Sequence, residues 1–156
     1  MSHELRTPLN AIIGLSEDIQ SYTEEIPLVG LKTSGVKSIK LNDNAYIVSA
    51  FVVNENKEYL TIFTDKNTTK RIKVDEIDKL TRAKKGTLIL KSPKSKKYGI
   101  INAFNAGSKT IFGIMDKEIG YLKASDITIS DKVSTGTTYT KKNVECVFMV
   151  TRYTDI

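Results

Sequence analysis

Three glycines at a nearly constant interval constrain this chain more than any other feature. Gly35 and Gly86 are 51 residues apart, and Gly86 and Gly136 are 50 apart. Other strings recur in the same order. Ser49-Ala50-Phe51 answers Asn102-Ala103-Phe104, and Thr61-Ile62-Phe63 answers Thr110-Ile111-Phe112. Asp65-Lys66 answers Asp116-Lys117, and Lys73-Val74-Asp75-Glu76-Ile77 answers Lys123-Ala124-Ser125-Asp126-Ile127. Ordered agreement at a fixed offset marks an internal repeat, in which each unit buries its apolar face against its neighbour. We expect two full units, about 35–85 and 86–135, and the opening strands of a third, 136–150.

Each unit reads as short strands. Val36–Leu41, Tyr59–Phe63, Arg71–Val74 and Thr87–Leu90 mostly alternate with period two and are rich in β-branched and aromatic residues. Turn-forming pieces such as Asn42-Asp43-Asn44, Asp65-Lys66-Asn67 and Ala106-Gly107-Ser108 separate them. A unit of about 50 residues with four short strands has the size of a propeller blade. The fold class is therefore mainly β, an array of about two and a half blades. Apolar content of 40% suffices for a core, and nine glycines and three prolines are too few for a disordered chain.

The first thirty residues have a different texture. Leu5, Leu9, Ile12, Ile13 and Ile19 recur near helical spacing, which predicts an amphipathic helix over 2–21, kinked or restarted at Pro8. We delimit a helical segment 1–21, a linker 22–30 containing Pro27 and Gly30, and a β-repeat domain 31–156. Charge divides at the same place. Residues 1–30 hold one basic and five acidic side chains, whereas the whole chain carries +6, so the remainder is at +10.

A basic domain suits a polyanion such as nucleic acid, and it equally suits a solvated surface that aids solubility; charge alone leaves both open. Clustering adds to the first reading. From Lys70 to Lys97 there are eleven basic and three acidic residues. The groups Lys70-Arg71-Lys73, Arg82-Lys84-Lys85 and Lys91-Lys94-Lys96-Lys97 are the candidate DNA contacts. Equivalent loops of a blade array share one rim, so these groups would form a curved cationic track that displaces counterions from phosphates and bends duplex DNA with little base reading.

The repeat also resembles a known family. Lys32–Leu41 and Arg82–Leu90 are similar to the blade-opening segments of the β-pinwheel, the fold of the C-terminal domains of gyrase A and of topoisomerase IV ParC. Phe63–Asn67 followed by Lys70-Arg71-Ile72 resembles that family's central hairpin. The resemblance spans about 120 residues and implies a non-catalytic, DNA-binding module of an ATP-dependent type IIA topoisomerase, partnered by the remainder of its parent subunit. The complete domain of the family has five or six blades. The glutamine-arginine-glycine box of gyrase is absent; Arg82-Ala83-Lys84-Lys85-Gly86 is the nearest stretch, which favours a topoisomerase IV-like reading.

Ser2-His3-Glu4-Leu5-Arg6-Thr7-Pro8-Leu9-Asn10 resembles the H-box of sensor histidine kinases. That resemblance implies His3 as phosphoacceptor, Glu4 managing the proton on the other ring nitrogen, and Thr7 one turn further on. The second dimerisation helix and the ATP-binding boxes of such kinases are not found in the sequence, nor is a phosphate-binding Gly-Lys-Ser/Thr loop.

One histidine and one cysteine far apart offer neither a zinc site nor a nucleophile pair, so we expect no metal and no cofactor. The lone Cys146, the lack of a signal peptide and the lack of an apolar run of about 18 residues point to the cytoplasm and away from the membrane. The leading expectation is a DNA-binding topoisomerase accessory module. The alternatives are a phosphoacceptor fragment built on His3 and a β-repeat protein-interaction module. An incomplete array leaves strand edges open, which invites self-association.

Overall fold

Two antiparallel hairpins organise the molecule, β5 (Tyr59–Thr64) with β6 (Thr68–Lys73) and β8 (Ile111–Met115) with β9 (Ile119–Lys123). The computed structural model describes residues 7–8, 13–15, 29–53, 57–78, 80–81 and 83–151. The remaining strands are β1 (Thr7–Pro8), β2 (Ile13–Leu15), β3 (Ala45–Tyr46), β4 (Ala50–Val52), β7 (Ile100–Ala106), β10 (Thr137–Thr138) and β11 (Cys146–Val150). Short 3-10 turns at Val74–Glu76 and Ala124–Asp126 follow the two hairpins 50 residues apart, each entered from an extended lysine, Lys73 or Lys123.

The repeat is therefore real, and its glycines show why it is visible. Gly35, Gly86 and Gly136 all adopt positive φ, at 76°, 85° and 83°. A side chain in that region crowds the neighbouring carbonyl, so glycine recurs wherever the chain opens a unit.

Sequence units and sheets do not coincide. β5 pairs with β6 of its own unit on one side and with β7 of the next unit on the other. β8 likewise pairs with β9 and with β11 from the third unit. Strand order is β10-β6-β5-β7 in the first sheet and β11-β8-β9 in the second. Each hairpin thus needs a strand lent by the unit that follows it.

Register corrects one sequence match. The lysine-to-turn segments align 50 residues apart, so β6 maps onto β9 with Ile72 opposite Leu60 and Leu122 opposite Phe112. Leu60 and Ile62 therefore correspond to Phe112 and Ile114, and Thr61-Ile62-Phe63 does not correspond to Thr110-Ile111-Phe112. The second hairpin is two residues shorter at its tip, which shifts β8 against the period.

Packing follows from that alignment. Leu60, Ile62, Ile72 and Ala103 on one face of the first sheet join Ile89, Leu90 and Ile100, with Val48, Phe51 and Tyr98 against them. Phe63 and Ala106 on the other face join Phe112, Ala124, Ile127 and Val147, with Phe104, Ile114, Leu122 and Met149 against them. The first sheet lies between two cores, so Leu60 through Thr64 are all buried and the expected apolar–polar alternation is lost in β5. Phe63 anchors the second core, meeting Phe112 edge-on at 5.2 Å and Tyr139 edge-on at 5.4 Å.

The helix expected over 1–21 is not what the described residues form. Thr7–Pro8 and Ile13–Leu15 are strands, running parallel to β3 and β4. Pro8 cannot supply a helical N–H, and Ile13-Gly14-Leu15 combines a β-branched residue with glycine, both poor helix formers. β2 lies beside β4 as β5 lies beside β7 one unit on, but β2 runs parallel to its partner and β5 antiparallel. His3, Glu4 and most of the 22–30 linker lie outside the described residues.

Candidate nucleic-acid interface

The candidate basic residues separate into two groups by burial. Lys73, Lys84, Lys85, Lys91, Lys94, Lys96 and Lys97 are exposed. Arg82 lies outside the described residues. Lys70 and Arg71 are turned inward, with relative exposures of 1% and 7%. These two depart from the expected surface cluster.

Their partners explain the burial. Lys70 Nζ donates to the carbonyls of Asp131 at 3.2 Å and Lys132 at 2.9 Å. Arg71 Nε donates to the Ile127 carbonyl at 2.8 Å, and its guanidinium lies 4.7 Å from the Tyr59 ring centre. Backbone bonds run alongside, from Arg71 N–H to Thr128 C=O at 3.0 Å and from Ser130 N–H to Arg71 C=O at 2.9 Å. Both cations tie β6 to the segment that leads into the third unit. Desolvation by burial pulls the Lys70 ammonium down to about 8, and the nearby Asp131 carboxylate only partly offsets this.

The exposed lysines gather where unit openings run side by side. Lys40 N–H donates to Lys84 C=O at 2.9 Å and Ala83 N–H to Ser38 C=O at 2.8 Å, so Lys40, Lys84 and Lys85 share one neighbourhood. Lys91 N–H donates to Val133 C=O at 3.0 Å, setting Lys91 beside the start of the third unit. A turn closed by Lys96 N–H on Pro93 C=O at 3.2 Å presents Lys94, Lys96 and Lys97. Asp65 and Gly99 bond reciprocally across the hairpin tip, at 2.9 Å each way, which holds that turn near the tip. Lys73 stands at the opposite end of the hairpin, on the order of 20 Å away along six residues of strand.

Sequence clustering missed Lys123. It occupies the place of Lys73 one unit on, entering the second 3-10 turn, and it is exposed. The signal was present in the aligned Lys73-Val74 and Lys123-Ala124 strings, but Lys123 falls outside the dense run. Carboxylates interrupt the surface: Asp75 and Glu76 follow Lys73 and are exposed, as is Asp78. Asp78 accepts from Lys132 Nζ at 3.2 Å and from the Thr87 hydroxyl at 3.2 Å, and the Lys132 hydrogen bond and charge hold its carboxyl below the usual range. Among the described residues, no cluster of three or more His, Cys, Asp or Glu gathers in metal-binding geometry, and no helix is long and apolar enough to cross a membrane.

Comparison with known proteins matches this architecture. The family described as "DNA gyrase C-terminal domain, beta-propeller" matches residues 23–54 and 58–94, beginning beyond the Ser2–Asn10 string. The chain is 35% identical over 88 residues to the A subunit of DNA topoisomerase 4 from Streptococcus pyogenes, covering 56% of this chain and 10% of that protein. It is 30% identical over 109 residues to the corresponding protein of Streptococcus pneumoniae, covering 70% of this chain and 12% of that protein. It thus spans about a tenth of the length of these curated relatives. Among solved structures, the C-terminal domain of DNA topoisomerase IV superposes with a TM-score of 0.72 at 30% identity, over 81% of this chain and 41% of that one. The DNA gyrase A C-terminal domain superposes with a TM-score of 0.60 at 20% identity, over 80% of this chain and 44% of that one, a likeness of fold. The β-repeat of this chain belongs to the family of β-pinwheel C-terminal domains found in the gyrase A and ParC components of type IIA topoisomerases.

Proposed function

We propose that this chain is a non-catalytic accessory module that holds and bends duplex DNA for a topoisomerase IV-like, ATP-dependent enzyme in the cytoplasm, partnered by the remainder of its parent subunit. The observation that carries the reading is the exposure of the lysines at neighbouring unit openings, Lys40 with Lys84 and Lys85, and Lys91 with the Lys94–Lys97 turn. Ammonium groups spaced along a β array meet successive phosphates without reading bases, and their binding free energy comes largely from released counterions. Lys73 and Lys123 extend the track at equivalent places on two units.

Lys70 and Arg71 serve this function indirectly. By bonding carbonyls of residues 125–132 they fix the end of the second unit against the first, and so set the spacing of the surface lysines.

The test is titration of the chain with a duplex of a few tens of base pairs across a range of salt. Tight binding at low salt, falling linearly on a log–log plot, supports the proposal. Absence of binding at low salt would reject it in favour of a protein-interaction module.

A further inference from the structure

Strands from three units meet at the tip of the first hairpin. β5 and β6 turn there through Asp65-Lys66-Asn67. β7 starts beside the end of β5, with Ile100 opposite Thr64. β10 finishes beside the start of β6, with Thr138 opposite Thr68, and Tyr139 N–H then donates to Asn67 C=O at 3.1 Å. The loop that leads into β7 and the loop that leaves β10 therefore flank the same turn, one on each side.

Both loops carry lysines. The first closes on itself, with Ser92 Oγ accepting from Tyr98 N–H at 2.9 Å, and presents Lys94, Lys96 and Lys97. The second presents Lys141 and Lys142. Lys66 at the turn joins the two groups, so six exposed lysines from three units stand in one row. Four strands spaced about 4.8 Å apart make the row about 14 Å long, the axial length of about four phosphates on one DNA strand. Two carboxylates pair with it, Asp65 with Lys66 at 3.6 Å and Asp116 with Lys142 at 3.5 Å. Exposed pairs of this kind are worth little, so phosphate can take the place of the carboxylates.

Asn67 secures the third-unit end of the row. Its φ is 57°, a conformation that asparagine visits more readily than most residues with a side chain. Glycine would meet that backbone requirement equally well. Glycine could not supply the carboxamide, whose Nδ2 donates to Lys142 C=O at 2.8 Å. The tip of the second hairpin is built differently, with Asp116 Oδ1 accepting from Glu118 N–H at 2.8 Å.

We infer that Asn67 is a positioning residue for DNA: it fastens Lys141 and Lys142 of the third unit to the hairpin tip and completes a phosphate-binding row with Lys66 and the Lys94–Lys97 turn. The inference rests on the DNA binding proposed above, and it adds residues that lie far from the dense basic run in sequence. The row joins units as well as charges, because no single unit supplies it.

Titration of the full chain with duplex DNA across a range of salt tests the inference. Lys141→Gln combined with Lys142→Gln should make the slope of log K against log salt shallower by about 1.8. The deficit against the parent then shrinks about twelvefold between about 50 and 200 mM salt. Both side chains are exposed, so this variant should fold, and far-UV circular dichroism checks it. Asn67→Gly keeps the backbone conformation and removes the amide. It should weaken binding at low salt about threefold or more in the parent, and have no further effect once Lys141 and Lys142 are glutamine. Equal losses on both backgrounds would show that Asn67 acts through the fold alone and would overturn its role. An unchanged slope in the double glutamine variant would overturn the row and leave DNA binding by the chain standing. Absence of binding by the parent at low salt would reject the DNA reading itself, and the row with it.

Discussion

Lys70 shows how one residue type takes opposite roles within a few positions of sequence. Its neighbour Lys73 is solvated, whereas Lys70 spends its ammonium on two carbonyls at the end of the second unit. Burial lowers its folded pKa to about 8 from an ordinary 10.5. Between those two values the unfolded chain binds the proton and the folded chain does not, so this residue makes stability rise with pH from about 8 to 10.5. Below pH 8 both states are charged and the cost of burying the charge is fully present. Urea unfolding at several pH values should show this rising contribution in the parent and not in Lys70→Met, the difference between the two curves removing the tyrosine titrations. Identical pH dependence in both proteins would show that Lys70 is not the group responsible. Glycine supplies a second contrast. Gly35 and Gly136 share positive φ, but a β-carbon meets nothing at Gly35 and would lie 2.6 Å from the Thr69 carbonyl oxygen at Gly136. Gly35→Ala is expected to cost about 1 kcal/mol, from the backbone conformation alone. Gly136→Ala should cost at least about 2 kcal/mol because the clash adds to the conformation. Equal losses in urea unfolding would refute the added clash.

At the scale of elements, the unit of stability is the composite sheet. The first sheet takes β5 and β6 from one unit, β7 from the next and β10 from the third, and the aromatic contacts of Phe63 join the same parts. Phe63 is fully buried among Phe104, Phe112 and Tyr139, all from later units. Phe63→Ala is expected to cost about 3–5 kcal/mol and, because three units lose a shared contact, to lower one cooperative transition. Two resolved transitions by circular dichroism would mean that the units unfold independently. This composite character marks the limit of what the sequence could reveal. The repeat was legible because Gly35, Gly86 and Gly136 answer a steric requirement local to each unit. The loan of β7 and β11 to preceding hairpins was not, since pairing partners leave no mark within a short strand. Nor was the burial of Lys70 and Arg71, because a lysine aimed at backbone carbonyls and one aimed at water read alike. The helical periodicity of the first segment misled for a related reason: Ile13-Gly14-Leu15 takes its conformation from β4 beside it.

For the whole molecule, the inward turn of two cations changes what DNA binding should look like. The dense run from Lys70 to Lys97 suggests a continuous basic strip, but the fold removes Lys70 and Arg71 from it and adds Lys123 one unit on. Counterion release separates the two descriptions. Each lysine that neutralises a phosphate contributes about −0.9 to the slope of log K against log salt. If both Lys84 and Lys85 meet phosphate, replacing them with glutamine should make the slope shallower by about 1.8 and weaken binding on every duplex sequence alike. Lys73→Gln and Lys123→Gln should each remove about 0.9, and equally so, because they hold equivalent places on two units. Lys70→Met should leave the slope unchanged under conditions where the variant is folded, since its ammonium faces carbonyls of its own chain. A slope that drops with Lys70→Met and not with Lys84→Gln and Lys85→Gln would place the DNA on a different surface. Equal drops at Lys73 and Lys123, with none at Lys70, would tie the path of the duplex to the repeat itself, the same feature that first distinguishes this sequence.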